Sequence, residues 1–354
     1  MDNVSFVYAG GSSNTFAIRN DGSLWGWGSN AGWQLDDSGG GIRPNPIHLM
    51  DDVMYITTIL HDVFVIRGDG SLWGWGDGTR IGADSQWVNV SSPARIMDNV
   101  VSITTGRTMT AGHMIYVIRG DGSLWAWGWN EFGQVGSGSS EIDIRHPVRV
   151  KENVISVATC GNSTFAIQND GSLWAWGNNW NGRLGDGTNV ERHHPVFIMG
   201  NVSYVTTTGT HTLALTLDGA LYGWGTNSWG QLGDGGSPGQ HNPVRIMDNI
   251  ISISASGNNM PRSFAVCADS ILWGWGYNSG GLGDGTRIGG TRNYPVFILD
   301  NVAAVTAGSS SRHGDRTFAL RNDGSLWAWG HSWNVGLGDG TAMDRPYPVQ
   351  VIFP

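Results

Sequence analysis

The chain has 354 residues, of which 40% are apolar and 14% charged, with 55 glycines and a formal net charge of −9. Lys151 is the one lysine among 20 basic residues, so the cationic footprint that nucleic acid or an anionic membrane surface demands is missing. Much glycine and little charge suit many short strands joined by tight turns, and no stretch carries a helical period.

Taken in order, the chain opens Met-Asp-Asn-Val and runs straight into a strand, Val4 to Tyr8. It shows no basic n-region, apolar h-region or spanning segment, which predicts a soluble protein without membrane insertion. Its compartment is cytoplasmic by default, or extracellular if a leader lies outside the sequence. A glycine-containing link leads to a second strand, Thr15 to Ile18, and Asp21-Gly22 turns the chain into Leu24-Trp25-Gly26-Trp27-Gly28. An Asp-Gly pair between apolar runs is a strong hairpin signal and predicts a two-residue loop. A longer glycine-rich link follows, then a last strand predicted to begin at Pro46, where a sheet edge tolerates the missing N–H.

This unit returns seven times at a spacing of about 50 residues, the mark of an array of one supersecondary motif. Its third strand passes through Trp25, Trp73, Trp125, Trp174, Tyr222, Trp273 and Trp327, and its last strand starts at Pro46, Pro93, Pro147, Pro195, Pro243, Pro295 and Pro348. Asp269-Ser270 is the one hairpin turn without glycine and should be strained or of another type. The alternation puts both indoles of a Trp-x-Trp on one side, with Gly or Ala between them on the other. Stacked sheets would let the Trp side of one enter the flat side of its neighbour, so both indoles read as core. On that reading Trp174→Ala should cost about 3 to 5 kcal/mol.

Four antiparallel strands in each of seven units predict an all-β fold, a seven-bladed β-propeller closed into a single domain over residues 1–354. The repeat units are 1–50, 51–97, 98–150, 151–199, 200–247, 248–299 and 300–354, and a monomer is expected. The links one-to-two and three-to-four leave from the same end of each blade. That end varies in length, and variable loops on a rigid scaffold are where binding sites arise. The one-to-two links lengthen in three units and bring Arg107, Met109, His113, Asn258, Arg262, Arg312, His313, Asp315 and Arg316 to this side. Six further tryptophans, Trp33, Trp87, Trp129, Trp180, Trp229 and Trp333, fall in or beside the three-to-four links. Arginine, methionine and tryptophan are the residues of protein interfaces. Arg107, Met109, His113, Trp129, Trp180, Trp229, Arg262, Arg312, His313, Arg316 and Trp333 are therefore the candidate contacts for a protein partner.

The link aspartates Asp186, Asp234, Asp284 and Asp339 invite a calcium reading, but one acid per loop lacks the spaced oxygens that a Ca²⁺ loop supplies. Cys160 and Cys267 occupy non-equivalent positions and read as buried free thiols. No metal or other cofactor is expected. Catalysis needs an asymmetric constellation, and the sharpest one available, His113, His313 and Asp315, is weaker than a non-enzymatic reading.

The runs NDGSLWAWGNNWNGRLGDGT and PVFIMGNVSYVTTTGTHTLAL resemble the repeat of the regulator of chromosome condensation, in its bacterial form. The resemblance covers essentially all seven units and implies a propeller that binds other macromolecules. Members of that family include an exchange factor for a small nuclear GTPase, a plant ultraviolet-B photoreceptor and secreted bacterial inhibitors of β-lactamase, so shared fold does not settle function. No insertion of wedge size interrupts the repeats as in the exchange factor, and the photoreceptor's Gly-Trp-Arg-His-Thr context does not occur here. The inhibitors are nearest in type. The expectation is a non-catalytic scaffold or inhibitor-like module that binds a protein, with a glycan or cell-wall binder and a GTPase exchange factor as alternatives.

Overall fold

A computed structural model of the chain describes residues 2–10, 13–36, 39–77, 81–82, 90–108, 112–257, 260–286, 290–308, 315–332 and 336–352. Among these, the strands form seven four-stranded antiparallel sheets, each made of four consecutive strands in chain order. The sheets, numbered here as blades one to seven, occupy 4–50, 53–97, 100–151, 154–199, 202–247, 250–299 and 302–350. The described residues group into two compact units, residues 1–162 with 193–195, and residues 163–192 with 196–354. No helix among them is long and apolar enough to cross a membrane.

Blade six shows how the sequence builds a sheet. Its strands are Ile250–Ser256, Arg262–Cys267, Leu272–Asn278 and Gly290–Leu299, and the second is buried almost throughout. Phe264 pairs with Gly274, and its ring fills the space that the glycine leaves, since a Cβ there would stand 3.0 Å from it. Trp329 of blade seven then meets Phe264 edge-on, with ring centroids 6.3 Å apart. Phe64 with Trp127 and Phe165 with Trp224 repeat the arrangement. The flat side is thus filled by a phenylalanine of its own blade, and the neighbouring indole packs on that ring. A second contact comes from the link glycine of the Leu-Gly-Asp-Gly run. A Cβ at Gly185, Gly233 or Gly283 would lie within 2.7 Å of Trp224, Trp275 or Trp329.

The two positions of the pair therefore differ in burial in blades two to seven, while in blade one Trp27 is half-buried like Trp25. Trp75, Trp127, Trp176, Trp224, Trp275 and Trp329 are buried, whereas Trp25, Trp73, Trp125, Trp174, Tyr222, Trp273 and Trp327 are half-buried. The half-buried rings lie beside the fourth strand. Trp174 meets Phe197 edge-on, and Arg321 sits over Trp327 at 5.0 Å. Trp174 is consequently the wrong residue for the full cavity cost expected of it; that role falls to the second indole. Cys160 and Cys267 are likewise half-buried rather than buried.

The hairpin turns also differ from expectation. In blade one Gly22 N–H donates to Arg19 O and Arg19 N–H to Ser23 O, which closes a three-residue loop with one left-handed residue, Gly22 at φ +80°. Asp21 keeps a negative φ because its carboxylate accepts from both the amide and the hydroxyl of Ser23. Gly171 does the same in blade four, where a Cβ would also approach the Asn201 backbone to 3.3 Å. Ser270 adopts this turn without a glycine, at φ +66°. Relief of that strain is offset in part by glycine's entropy and by loss of the Asn322 hydrogen bond to Ser270 Oγ. Ser270→Gly is therefore expected to raise stability by no more than about 1 kcal/mol in urea unfolding, and a loss of that size would contradict the strain.

The fourth strands begin before their prolines. In blade five, Gln240–Met247, Gly225 pairs with Gln240 and Gly223 with Val244, so His241, Asn242 and Pro243 bulge out of the ladder. A bulged proline withholds no ladder bond, which frees it from the strand's first position.

Candidate functional site

In five blades one buried asparagine organises the three-to-four link. Asn179 is buried; its Oδ1 accepts from Leu184 N–H, and its Nδ2 donates to Asp186 Oδ1 and to the carbonyls of Thr188 and Val190. Asn30, Asn130, Asn227 and Asn278 are buried at the same position. The aspartate then binds the fourth strand of its own blade: Asp186 Oδ2 accepts from Arg192 Nε at 2.6 Å. Burial pushes the Asp186 carboxyl up, but the bonds from Arg192, Thr188 and Asn179 prevail and hold it below the ordinary carboxylate range. These oxygens are used inside the loop, which gives the Gly-Asp-Gly turns a structural role. The link is finally clasped to the next blade, as Gly187 N–H donates to His241 O, inside the bulge of blade five.

The start of the second strand carries polar residues that join successive blades. His113 Nε2 lies 3.1 Å from Asp62, and both are buried. His211 Nε2 lies 3.0 Å from Ser263 Oγ, and Ser263 Oγ in turn donates to Gln231 O. Arg262, with no exposed surface, lies 3.3 Å from Asp315 and donates to Gly281 O at 2.6 Å. Burial pulls the Arg262 guanidinium below its usual range against the pull of Asp315, and pushes the Asp315 carboxyl up against Arg262 and His331. These groups hold blade to blade. Arg262 and His113, expected to face a partner, are turned inward because the strand that bears them is core.

The other candidates divide. Arg107 is exposed at the end of its strand. Arg316 is half-buried, its Nε donating to His331 O. Trp129 is half-buried and lies over Gly112, where a Cβ would meet the indole at 2.5 Å. It covers the one-to-two link of its own blade. Trp33 is half-buried too. Trp229 is 43% exposed and meets Tyr277 edge-on at 4.9 Å; Trp180, on the 3-10 turn Trp180–Gly182, is 70% exposed. Met109, Asn258, Arg312, His313, Trp87 and Trp333 lie outside the described residues, and with them the His113, His313 and Asp315 constellation. Tyr277 and Tyr294, the latter 65% exposed, were not among the candidates because they sit on strands and not in links. Among the described residues no group of three or more His, Cys, Asp or Glu side chains could hold a metal ion.

Residues 121–167, 170–215 and 218–259 match the family model described as the regulator of chromosome condensation (RCC1) repeat, and residues 202–231 match a second model of the same repeat. Residues 121–259 therefore carry RCC1 repeats. The repeats of the chain are similar to two Arabidopsis thaliana proteins, the mitochondrial RCC1 domain-containing protein RUG3 (29% identical over 90 residues) and the ultraviolet-B receptor UVR8 (31% over 87). These segments cover 25% and 24% of the chain and only 20% and 19% of the relatives' own lengths.

Likeness to solved structures extends over nearly all of the chain. Human WBSCR16 superposes with a TM-score of 0.66 at 21% identity, covering 94% of either chain. Prp20p from Saccharomyces cerevisiae superposes at 0.64 and 18% identity, covering 95% of this chain and 87% of that one. At such identities the likeness shows the fold, the seven-bladed β-propeller. The buried asparagine and the Asp–Arg pair account for the Asn and Asp of the run N-x-x-G-x-L-G-D-G-T, so that run marks architecture.

Proposed function

We propose that this chain is a non-catalytic protein-binding module that presents the link ends of blades four to six to a partner. One observation carries the reading: Trp180, 70% exposed, projects from a link that Asn179 pins from beneath. A large apolar side chain on a rigid loop loses little entropy on binding, which is how hot spots arise. Trp229, Tyr294 and Val190, 59% exposed, extend the apolar surface on the same blades. The related yeast propeller Prp20p was solved in a study of its binding to Gsp1p and histones, and a complex of Kap60 with yeast RCC1 (Prp20) is also known. Those partners belong to that protein; what they support here is that an RCC1-type propeller serves as a docking surface.

The double substitution Trp180→Ala and Trp229→Ala is expected to lower unfolding stability by less than about 1 kcal/mol per site while weakening partner capture about 30-fold or more. Affinity capture beside circular dichroism checks both. Capture that is indifferent to the indoles would overturn the reading. A glycan binder would stack sugars on the same indoles and show retention on polysaccharide columns, and an exchange factor would accelerate nucleotide release from a small GTPase; the double variant would be defective in whichever assay applies.

A further inference from the structure

In four blades the link aspartate is neutralised by an arginine of the fourth strand: Asp36 by Arg43, Asp186 by Arg192, Asp284 by Arg292 and Asp339 by Arg345. Where a link lacks the aspartate, the arginine is gone as well. Blade three has Ser137 with Ile144, and blade two reads Ala83, outside the described residues, with Val90. Blade five breaks this rule. It keeps Asp234 and replaces the arginine by Gln240.

Among the described residues, Asp234 is held by neutral donors. Asn227 Nδ2 and Gly236 N–H donate to Oδ1 at 2.7 and 3.0 Å, and Gln240 Nε2 donates to Oδ2 at 3.0 Å. The fold of the link is thereby kept, but among the described residues no counter-charge is paired with this carboxylate. An ionised carboxylate offers about four acceptor positions, so Oδ2 retains capacity for the donor that Arg supplies in the sister blades. Asp234 is partly exposed, and aromatic residues flank the link that bears it. Trp229 and Tyr277 meet at 80°, and the Tyr294 ring lies over Gly235, where a Cβ would come within 2.3 Å of it. The Tyr294 ring, over the residue next to Asp234, places a π system near the carboxylate, and a cation bound there can be stabilised by both.

We propose that the blade-five link receives an arginine side chain from the protein partner, whose guanidinium donates to the remaining acceptor position of Asp234 Oδ2 beside Gln240 and supplies the charge that Arg192 brings to Asp186. This rests on the loop-face reading above and names the chemistry that the face selects. Arginine fits because the sister blades use its Nε–H on Oδ2, a planar donor geometry that lysine does not reproduce.

The probe is N-acetylarginine N-methylamide, titrated into the full chain while the Trp229 indole N–H resonance is followed, with the isosteric uncharged citrulline analogue beside it. The arginine probe is expected to bind saturably, with a dissociation constant on the order of millimolar, and the citrulline analogue about fivefold more weakly. Gln240→Arg supplies the cation from within, as four other blades already do, and should fold normally and lose the binding. Asp234→Asn should lose it by removing the charge and gives the same readout if the first variant is unstable. Equal binding of the two probes, or arginine binding by Gln240→Arg at the wild-type level, would overturn the proposal. If the arginine site fails while partner capture still depends on Trp180 and Trp229, the proposal falls and the loop-face reading stands. Arginine binding with capture indifferent to those indoles gives the reverse.

Discussion

Trp275→Ala is expected to lower the stability of the full chain by about 3 to 5 kcal/mol. Its indole is fully buried between blades five and six, packed against Gly233 of one link, and its N–H donates to Gln231 O at 2.9 Å. Truncation opens a cavity that the glycine cannot fill and removes that carbonyl's indole donor. Trp273 is two residues away on the same strand and half-buried beside Phe297, so Trp273→Ala should cost about half as much. Urea unfolding of both variants, followed by circular dichroism, separates them. A larger loss at Trp273 would mean that the roles of the two indoles are exchanged.

Between pH 7 and 4.5 the chain is expected to lose about 3 kcal/mol through His211 alone. Burial drives the imidazole from 6.5 down to about 3, and its neighbours at hydrogen-bonding distance, Thr208, Thr210 and Ser263, are all neutral. Because Ser263 Oγ donates to Gln231 O, His211 Nε2–H donates to Ser263 and Nδ1 accepts, which is the neutral form. The unfolded chain binds a proton below 6.5 while the folded chain does not until about 3. Stability is therefore fully present above 6.5 and falls as the pH drops through that window. The aspartates held down by their partners, Asp186, Asp284 and Asp339, act at lower pH, since their contribution is lost only below the ordinary carboxylate range. His211→Asn should flatten the dependence between pH 7 and 4.5 in urea titrations. Parallel curves for the two proteins would show that His211 is not the group.

The repeat, the strand order and the seven sheets follow from local pattern, because a Leu-Trp-Gly-Trp alternation and an Asp-Gly turn need no distant partner to be recognised. What each strand faces is another matter. Trp174 and Trp176 have the same neighbours in sequence, yet Trp176 is buried and Trp174 is half-exposed beside the fourth strand. Arg262 and Arg107 both border one-to-two links, but one is held inside by Asp315 and the other is exposed. Burial at these positions depends on a neighbouring blade, about 50 residues away: the preceding one supplies the glycine and the carbonyl beside Trp275, and the following one the carboxylate beside Arg262.

The candidate site shows the same division. Trp180 and Trp229 could be singled out as tryptophans outside the repeat pattern, and Gln240 could have been found by aligning the repeats and asking which lacks its arginine. Tyr294 could not, because its place over Gly235 joins the fourth strand of blade six to the link of blade five. Periodicity along the chain is enough to specify the blade, since its hydrogen bonds and turns are local. Stacking between blades chooses which indoles, cations and carboxylates meet solvent, because burial is set by long-range packing that the repeat leaves unwritten.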